Sequence, residues 1–356
     1  MAITQTLTSE TYETYESELA RFIACHTDEP FYYQPSWLDL LGRLYSYPIH
    51  ALTTRDANGD LTGFLPVMAI ASPLTGRRVV SLPFSDCCAP LATNDEAANA
   101  LLDQAQALAR EERARYLELR AGSSAALDER ADFARNDLYA RWVVPLETDT
   151  QAVWRRVKST AQRQVKKSQR EAVAVRAGES VADMDAYHHL HLLTRSRKHG
   201  MPAQPLRYFR GLWETFGPTG NVRVLLAEKD GAVIAGMILL VSGATVRYAY
   251  GASDEAFLKY GPNDALMWEA ISWAAANGYQ RFDMGRTARD NPGLAQFKRN
   301  WGALEEPLPY YYSPAVAGLA STSEESWKYR LLTSCWRRLP LGVAERLSGV
   351  VYRHLG

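Results

Sequence analysis

The sequence predicts an α/β protein with mixed sheets, in which one structural unit is used twice. Three observations predict it. Residues 49–71 read as a hairpin around Ala57-Asn58-Gly59-Asp60, and residues 222–241 read as a second one around Lys229-Asp230-Gly231. An Asn-Gly or Asp-Gly pair between apolar runs suits the positive φ angles of a tight hairpin turn. Each hairpin is followed by a further strand (78–82 and ATVRYAYGAS), and then by a helix with apolar periodicity (97–113 and 264–276). Each helix leads into a short strand with a carboxylate near its end: Glu118 in YLELR and Asp283 in RFDMGR. A hairpin, strand, helix and strand repeated in order point to a duplicated α/β unit with mixed sheets.

Composition agrees with two ordinary domains. The chain has 356 residues, 47% apolar and 22% charged, enough to bury two cores. Lysine plus arginine and aspartate plus glutamate both number 40, so global charge gives no pull towards nucleic acid. Four cysteines, two of them the adjacent Cys87 and Cys88, form neither a metal pattern nor a disulfide framework. No basic start with an apolar run is seen, and no window reaches the ~18 apolar residues of a membrane span. The expected setting is the cytoplasm, in solution or on the inner face of the membrane.

Taken in order, residues 1–30 read as a strand and a helix. In QPSWLDL, Ser36 is placed to cap a helix from Trp37 to Tyr45, with Arg43 the nearest basic residue after the motif. The segment PFSDCCAPL is a loop of turn formers carrying Asp86, with Asp95 just beyond it. Residues 121–140 look charged and irregular, and 142–146 closes the first half. A basic helix over 151–172 follows, with Arg163, Lys166 and Lys167 among its cations. It reads either as a solvated face or as an anion site. His188, His189 and His191 hold no i, i+4 pair, so no metal site is expected. Arg195 and Arg197 concentrate charge at a helix end, where bidentate recognition of phosphate or carboxylate would suit.

From 259 to 312 the chain is densest in candidate chemistry. Gly261-Pro262-Asn263 opens a helix that Asn277-Gly278 ends, since a glycine past the last turn takes the left-handed conformation freely. The strand over 281–284 places Asp283 and Arg286 at its end, and a second helix carries Lys298 before the stop at Trp301-Gly302. The tail, 313–356, is a small-residue linker and a basic segment with Trp327, Leu331 and Trp336. It suits either a bilayer interface or packing on the body.

Five stretches together resemble the FemAB family: QPSWLDL, LPFSDCCAPL, TAQRQVKKSQREAV, LLTRSRKHG, and RFDMGR with GLAQFKRNWGA. The resemblance covers roughly residues 30 to 312, and within the family it is nearest to shorter members associated with exosortase and exopolysaccharide loci. It implies two tandem GNAT-like domains, residues 1–150 and 151–312, followed by the tail 313–356. It also implies an amide-forming transferase that moves an aminoacyl or acyl group to an amine on a peptidoglycan- or exopolysaccharide-related precursor. The family's phosphate-contacting arginine falls on Arg197, and its basic residue near the acyl group falls on Lys298. The carboxylate that takes the proton stays open among Asp86, Asp95 and Asp283.

Such chemistry needs a base and oxyanion donors but no tightly bound cofactor. Neither a G-x-S-x-G elbow nor a Cys/His signature points to a covalent intermediate. The favoured donor is aminoacyl-tRNA, which makes tRNA a partner beside an anionic, amine-bearing envelope precursor. Acyl-CoA is the alternative donor, but one glycine and a proline at 261–262 make a poor phosphate cradle. A non-catalytic envelope-assembly module is the third reading.

Overall fold

In the computed structural model, residues 2–6, 9–73, 75–315, 333–334 and 336–354 are described, with only the backbone course for those before residue 17. After β1 (Ala2–Thr6) come α1 (Ser9–His26), a 3-10 turn (Pro30–Tyr33) and α2 (Pro35–Tyr45). The cap of α2 is Gln34, with Pro35 at the first helical position and Ser36 inside the first turn, which corrects the expected capping role of Ser36. Proline suits that position because its missing N–H would have had no partner there.

The first half continues with β2 (Ile49–Arg55), β3 (Leu61–Ser72), β4 (Gly76–Val80), the two-residue β5 (Leu91–Ala92), α3 (Asp95–Glu111) and β6 (Leu117–Leu119). Residues 121–140 are not irregular. They hold α4 (Ala125–Asp128) and most of β7 (Ala134–Pro145), a strand whose many charges hide its alternation from a sequence reading. The expected basic helix is two, α5 (Thr150–Arg156) and α6 (Ser159–Arg170). The break comes where Val157 and Lys158 turn extended and the Lys158 N–H is drawn to the Asn300 carbonyl.

The second half holds β8 (Ala174–Ala177), α7 (Val181–Leu192), a π-helical turn (Leu193–Lys198) and α8 (Leu206–Phe216). Next are β9 (Val222–Lys229), β10 (Ala232–Ser242), β11 (Thr245–Ser253) and α9 (Pro262–Ala276). Then follow β12 (Arg281–Ala288), α10 (Pro292–Asn300) and β13 (Leu304–Ser313), and in the tail α11 (Leu341–Val351) with a 3-10 turn (Tyr352–His354).

Among the described residues the strands form one mixed sheet of 13, ordered β1-β2-β3-β4-β6-β13-β7-β12-β11-β10-β9-β8, with β5 against β3. The duplicated pattern lies within it. Strands β2, β3 and β4 run antiparallel and β6 joins β4 in parallel; β9, β10 and β11 run antiparallel and β12 joins β11 in parallel. At the centre the halves exchange their last strands: β13 pairs with β6, and β7 pairs with β12. Helix α3 covers the first half's outer face through Leu101, Leu102 and Ala105, and α9 covers the second's through Leu266, Ala270 and Ile271. The other face is common ground. Phe64, Met68 and Val80 share a core with Val224 and Ile238 and with residues of α1, α2, α7 and α8, so the two arms of the sheet close on one interior.

Candidate active site

The site begins with a bulge. Pairing between β12 and β7 shifts register between Asp283 and Arg286, and Gly285 within the shift has φ of 72°. Glycine takes that left-handed conformation without the Cβ penalty, and the extra residue re-aims the side chains on either side. Both Asp283 and Arg286 thereby join a single charge cluster. Asp283 has no exposed surface. It accepts from the Gly285 N–H at 2.7 Å and from Arg141 Nε at 3.0 Å, and it forms an ion pair with Arg247 Nη2 at 2.9 Å. Burial pushes its carboxyl up, but Arg247 and Arg141 outweigh burial and hold it below the usual carboxylate range. A carboxylate so committed is a hub for charges and not a proton acceptor at neutral pH. Glu29, from the N-terminal segment, takes a further bond from each of the same two arginines.

Lys298 supports the bulge from behind. Helix α10 starts with the Asn291 side chain accepting from the Leu294 N–H at 3.0 Å and Pro292 in the first turn. That start brings Lys298 to the bulge, where Nζ donates to the Gly285 carbonyl at 2.8 Å and to the Arg286 carbonyl at 3.0 Å. Lys298 is 3% exposed, and burial lowers its ammonium to about 8, with the charges of Asp283 and Asp86 opposing the fall.

The opposite wall is the loop after β4. Leu82 and Phe84, on either side of Pro83, have φ of 59° and 63°, a conformation that costs a non-glycine residue about 1 kcal/mol or more. Two arrangements hold the loop in place. Arg120 Nη1 donates to the Ser85 carbonyl at 3.0 Å, and the Phe84 ring stacks between Tyr45 and Tyr352 with centroids at 4.4 and 5.4 Å. The loop presents Asp86, whose Oδ1 stands 3.3 Å from Arg286 Nε and whose Oδ2 stands 3.8 Å from Arg247 Nη1. Arg286 also donates to the Tyr310 hydroxyl at 2.8 Å and lies over the Tyr139 ring.

Loop and bulge enclose a cavity of about 210 Å³. First-half residues Tyr32, Ser85, Asp86 and Arg120 face second-half residues Gln204, Arg247, Tyr250 and Arg286 across it, and Tyr352 from the tail closes one side. Among the described residues, Asp86 is the only carboxylate on its wall. Lys298 is not on the wall, and touches the cavity only through the backbone it supports.

Asp86, Asp283, Arg286 and Lys298 are therefore brought together, and the other candidates are not. Asp95 is exposed in the first turn of α3. Arg43 is exposed on α2, paired with Asp39 at 2.8 Å. Arg197 is exposed and donates to the Arg337 carbonyl of the tail at 2.7 Å, while Arg195 Nε donates to the Pro202 carbonyl at 3.3 Å. Arg163 and Lys166 are exposed on α6 and Lys167 is half-buried there, each without an ion pair among the described residues. His188 and His191 are buried against Gln204, which holds them through its backbone carbonyl and its side-chain oxygen at 3.2 and 2.6 Å.

Sequence reasoning missed Arg247, Arg141, Glu29, Ser85 and Tyr352. Arg247 had a signal, being a lone cation in the apolar strand ATVRYAYGAS, where a charge must find partners to be buried at 6% exposure. Glu29 and Tyr352 had none, because only the fold brings them close.

Comparisons with known proteins agree with this architecture. Residues 155–299 match a family model described as an acetyltransferase (GNAT) domain. A UDP-N-acetylmuramoylpentapeptide-lysine N(6)-alanyltransferase of Weissella viridescens is 27% identical over 127 residues, which is 36% of this chain and 37% of that protein. A lipid II:glycine glycyltransferase of Staphylococcus epidermidis is 32% identical over 82 residues, 21% of this chain and 20% of that protein. The matched stretches thus span well under half the length of these curated relatives. Among solved structures, FemX superposes with a TM-score of 0.67 at 14% identity, over 93% of this chain and 100% of that one. A tandem GNAT protein from the clavulanic acid biosynthesis pathway superposes at 0.53 with 14% identity, over 89% and 100%. The fold is of the tandem GNAT type.

Proposed function

We propose that this FemAB-like chain is an amide-forming acyltransferase that moves an aminoacyl or acyl group to an amine on a cell-envelope precursor. One observation carries the reading: a cavity between the two halves with a single carboxylate, Asp86, on its wall and the guanidinium groups of Arg247 and Arg286 within 4 Å of that carboxylate. The amine nitrogen attacks the acyl carbon, a C–N bond forms, and the bond to the carrier oxygen breaks. Asp86 takes the proton that nitrogen loses and returns it to the leaving oxygen, so atoms and charge balance. Arg286, on the same wall, offers an N–H donor to the oxyanion that develops on the carbonyl. Asp283 and Lys298 hold the bulge that carries Arg286. They act on the reaction through that position.

The chain is taken as two GNAT-like units, 1–150 and 151–312, with the tail as a third segment. The preferred donor is aminoacyl-tRNA, in line with the aminoacyl groups in the names of the relatives. A cluster of exposed cations on α6 (Arg163 and Lys166, with Lys167) supports it, as does α9, which starts with Pro262 and so lacks an N–H where a pyrophosphate cradle would need one. Acyl-CoA is the second reading, and the acetyltransferase-domain match favours it.

No helix among the described residues is long and apolar enough to cross a membrane. The tail still suits the inner membrane face. On α11, Ala344 and Ser348 are buried against the body while Val343, Leu347 and Val350 point outward beside the exposed Arg346. Trp327 and Leu331 lie outside the described residues, and Trp336 is half-buried with Nε1 donating to Ser196 Oγ at 3.4 Å.

The test offers the protein and an amine acceptor labelled aminoacyl-tRNA in one tube and labelled acyl-CoA in another. RNase-sensitive transfer that is lost in Asp86→Asn is expected. Transfer from acyl-CoA alone, unaffected by RNase, would select the second reading, and transfer from neither would remove the enzyme.

A further inference from the structure

Among the described residues, two buried donors of residues that line the cavity lack hydrogen-bond partners. Arg247 is 6% exposed, and its Nη2 is committed to Asp283 and Glu29, yet its Nη1 makes no hydrogen bond; the nearest charge is Asp86 at 3.8 Å. Ser85 is 1% exposed and its Oγ is likewise unpartnered, although its backbone carbonyl is held by Arg120. A buried donor without an acceptor is costly, so two on one cavity wall point to a ligand that brings acceptor oxygens. The same cavity holds one acceptor-only group, Asp86, which suits an ammonium.

We propose that the cavity is a subsite for an α-amino-acid head: a carboxylate bonded by Arg247 Nη1 and Ser85 Oγ, with the neighbouring amino group facing Asp86. This deepens the transferase reading, on which it rests for the amine being the acceptor. Charge complementarity favours this ligand over a phosphate. The cavity, about 210 Å³, leaves room for a small amino acid between the two halves. Arg120 is already neutralised by Glu118 at 2.7 Å, and Arg247 Nη1 and Ser85 Oγ give two donors for two carboxylate oxygens. A phosphate carries no ammonium for Asp86 and would set a second anion against it. A zwitterion adds no net charge to the cluster. Tyr352 closes the side against larger groups.

The experiment is calorimetric titration of the full chain with L-alanine, D-alanine, alanine amide, ethylamine and inorganic phosphate. At least one alanine enantiomer should bind at least tenfold tighter than alanine amide and ethylamine, and phosphate should not displace it. Ser85→Ala should weaken alanine several-fold and leave ethylamine unchanged. Equal binding of alanine and its amide, displacement by phosphate, or no alanine binding at all would each overturn the subsite. The first comparison uses only wild-type protein, so a variant that fails to fold cannot obscure it. No acyl donor is present, so these outcomes stand apart from failure of the transferase assay.

Discussion

Glu118 on β6 and Asp283 on β12 hold matching places in the two halves, and both are buried, at 8% and 0% exposure. Their surroundings differ in kind. Glu118 pairs with Arg120, two residues along its own chain, at 2.7 Å. Asp283 gathers an arginine from β7, another from β11 and the backbone of its own bulge. The first pair is local and serves one loop. The second ties three strands together and, through Glu29, the N-terminal segment as well. A duplicated unit has kept its carboxylate in both copies, but only one copy makes it the hinge of a site that both halves line.

The largest test of that contrast removes each carboxylate in turn. Asp283→Asn leaves two buried arginines short of a countercharge and should cost about 3–5 kcal/mol in urea unfolding. Glu118→Gln disturbs one local pair and should cost about 1–2 kcal/mol. Equal losses would mean that Asp283 is no hub.

Lys298 extends the comparison to pH. Its folded value of about 8 lies below the ordinary lysine value, so between about 8 and 10.5 the unfolded chain binds more protons than the folded one. Stability contributed by this group is therefore lowest below pH 8 and rises with pH through that window, by up to about 3 kcal/mol. Lys298→Met should flatten the rise in a pH series of unfolding curves. It should also lower transfer at least tenfold, because the bulge loses its support.

Two glycines sharpen the contrast at smaller scale. Gly285 and Gly122, the latter shortly after β6, have φ of 72° and 66°. An alanine at either should cost about 1–2 kcal/mol for the left-handed conformation. Only at Gly285 would the added Cβ stand 3.3 Å from Asp86 Oδ2, so only Gly285→Ala should also depress transfer. The smallest effect on the fold belongs to α11. Leu347→Asp with Val350→Asp should shift stability by no more than about 0.5 kcal/mol per exposed site, yet abolish flotation with anionic vesicles. Unchanged flotation would return the tail to a purely packing role.

The repeat was legible because hairpin turns and strand periodicity are local signals, and the Asp283, Arg286 and Lys298 neighbourhood was legible because one short stretch carries it. Strand β7 was not, since none of its residues from 134 to 139 is buried: Arg135 and Asp137, exposed and bonded to each other, flank Asn136, and the buried positions begin only at Ala140. The break at Val157 was hidden too, because a carbonyl from α10 helps set it. Asp86 could be named from its loop, but its selection over Asp95 needed the cavity, which neighbours in sequence cannot define.

The exchange of β7 and β13 has a consequence for how the chain can be made. Strand β6 has no neighbour on its inner side until β13 is synthesised, and Tyr311 of β13 reaches back across 183 residues to bond Asp128. A ribosome extends a chain at roughly 5–20 residues per second, so the first half waits on the order of ten seconds with an open sheet edge. Open edges invite pairing with the nearest strand on offer, including one from another chain. The first half therefore gains its last sheet neighbour only when the second half is nearly complete.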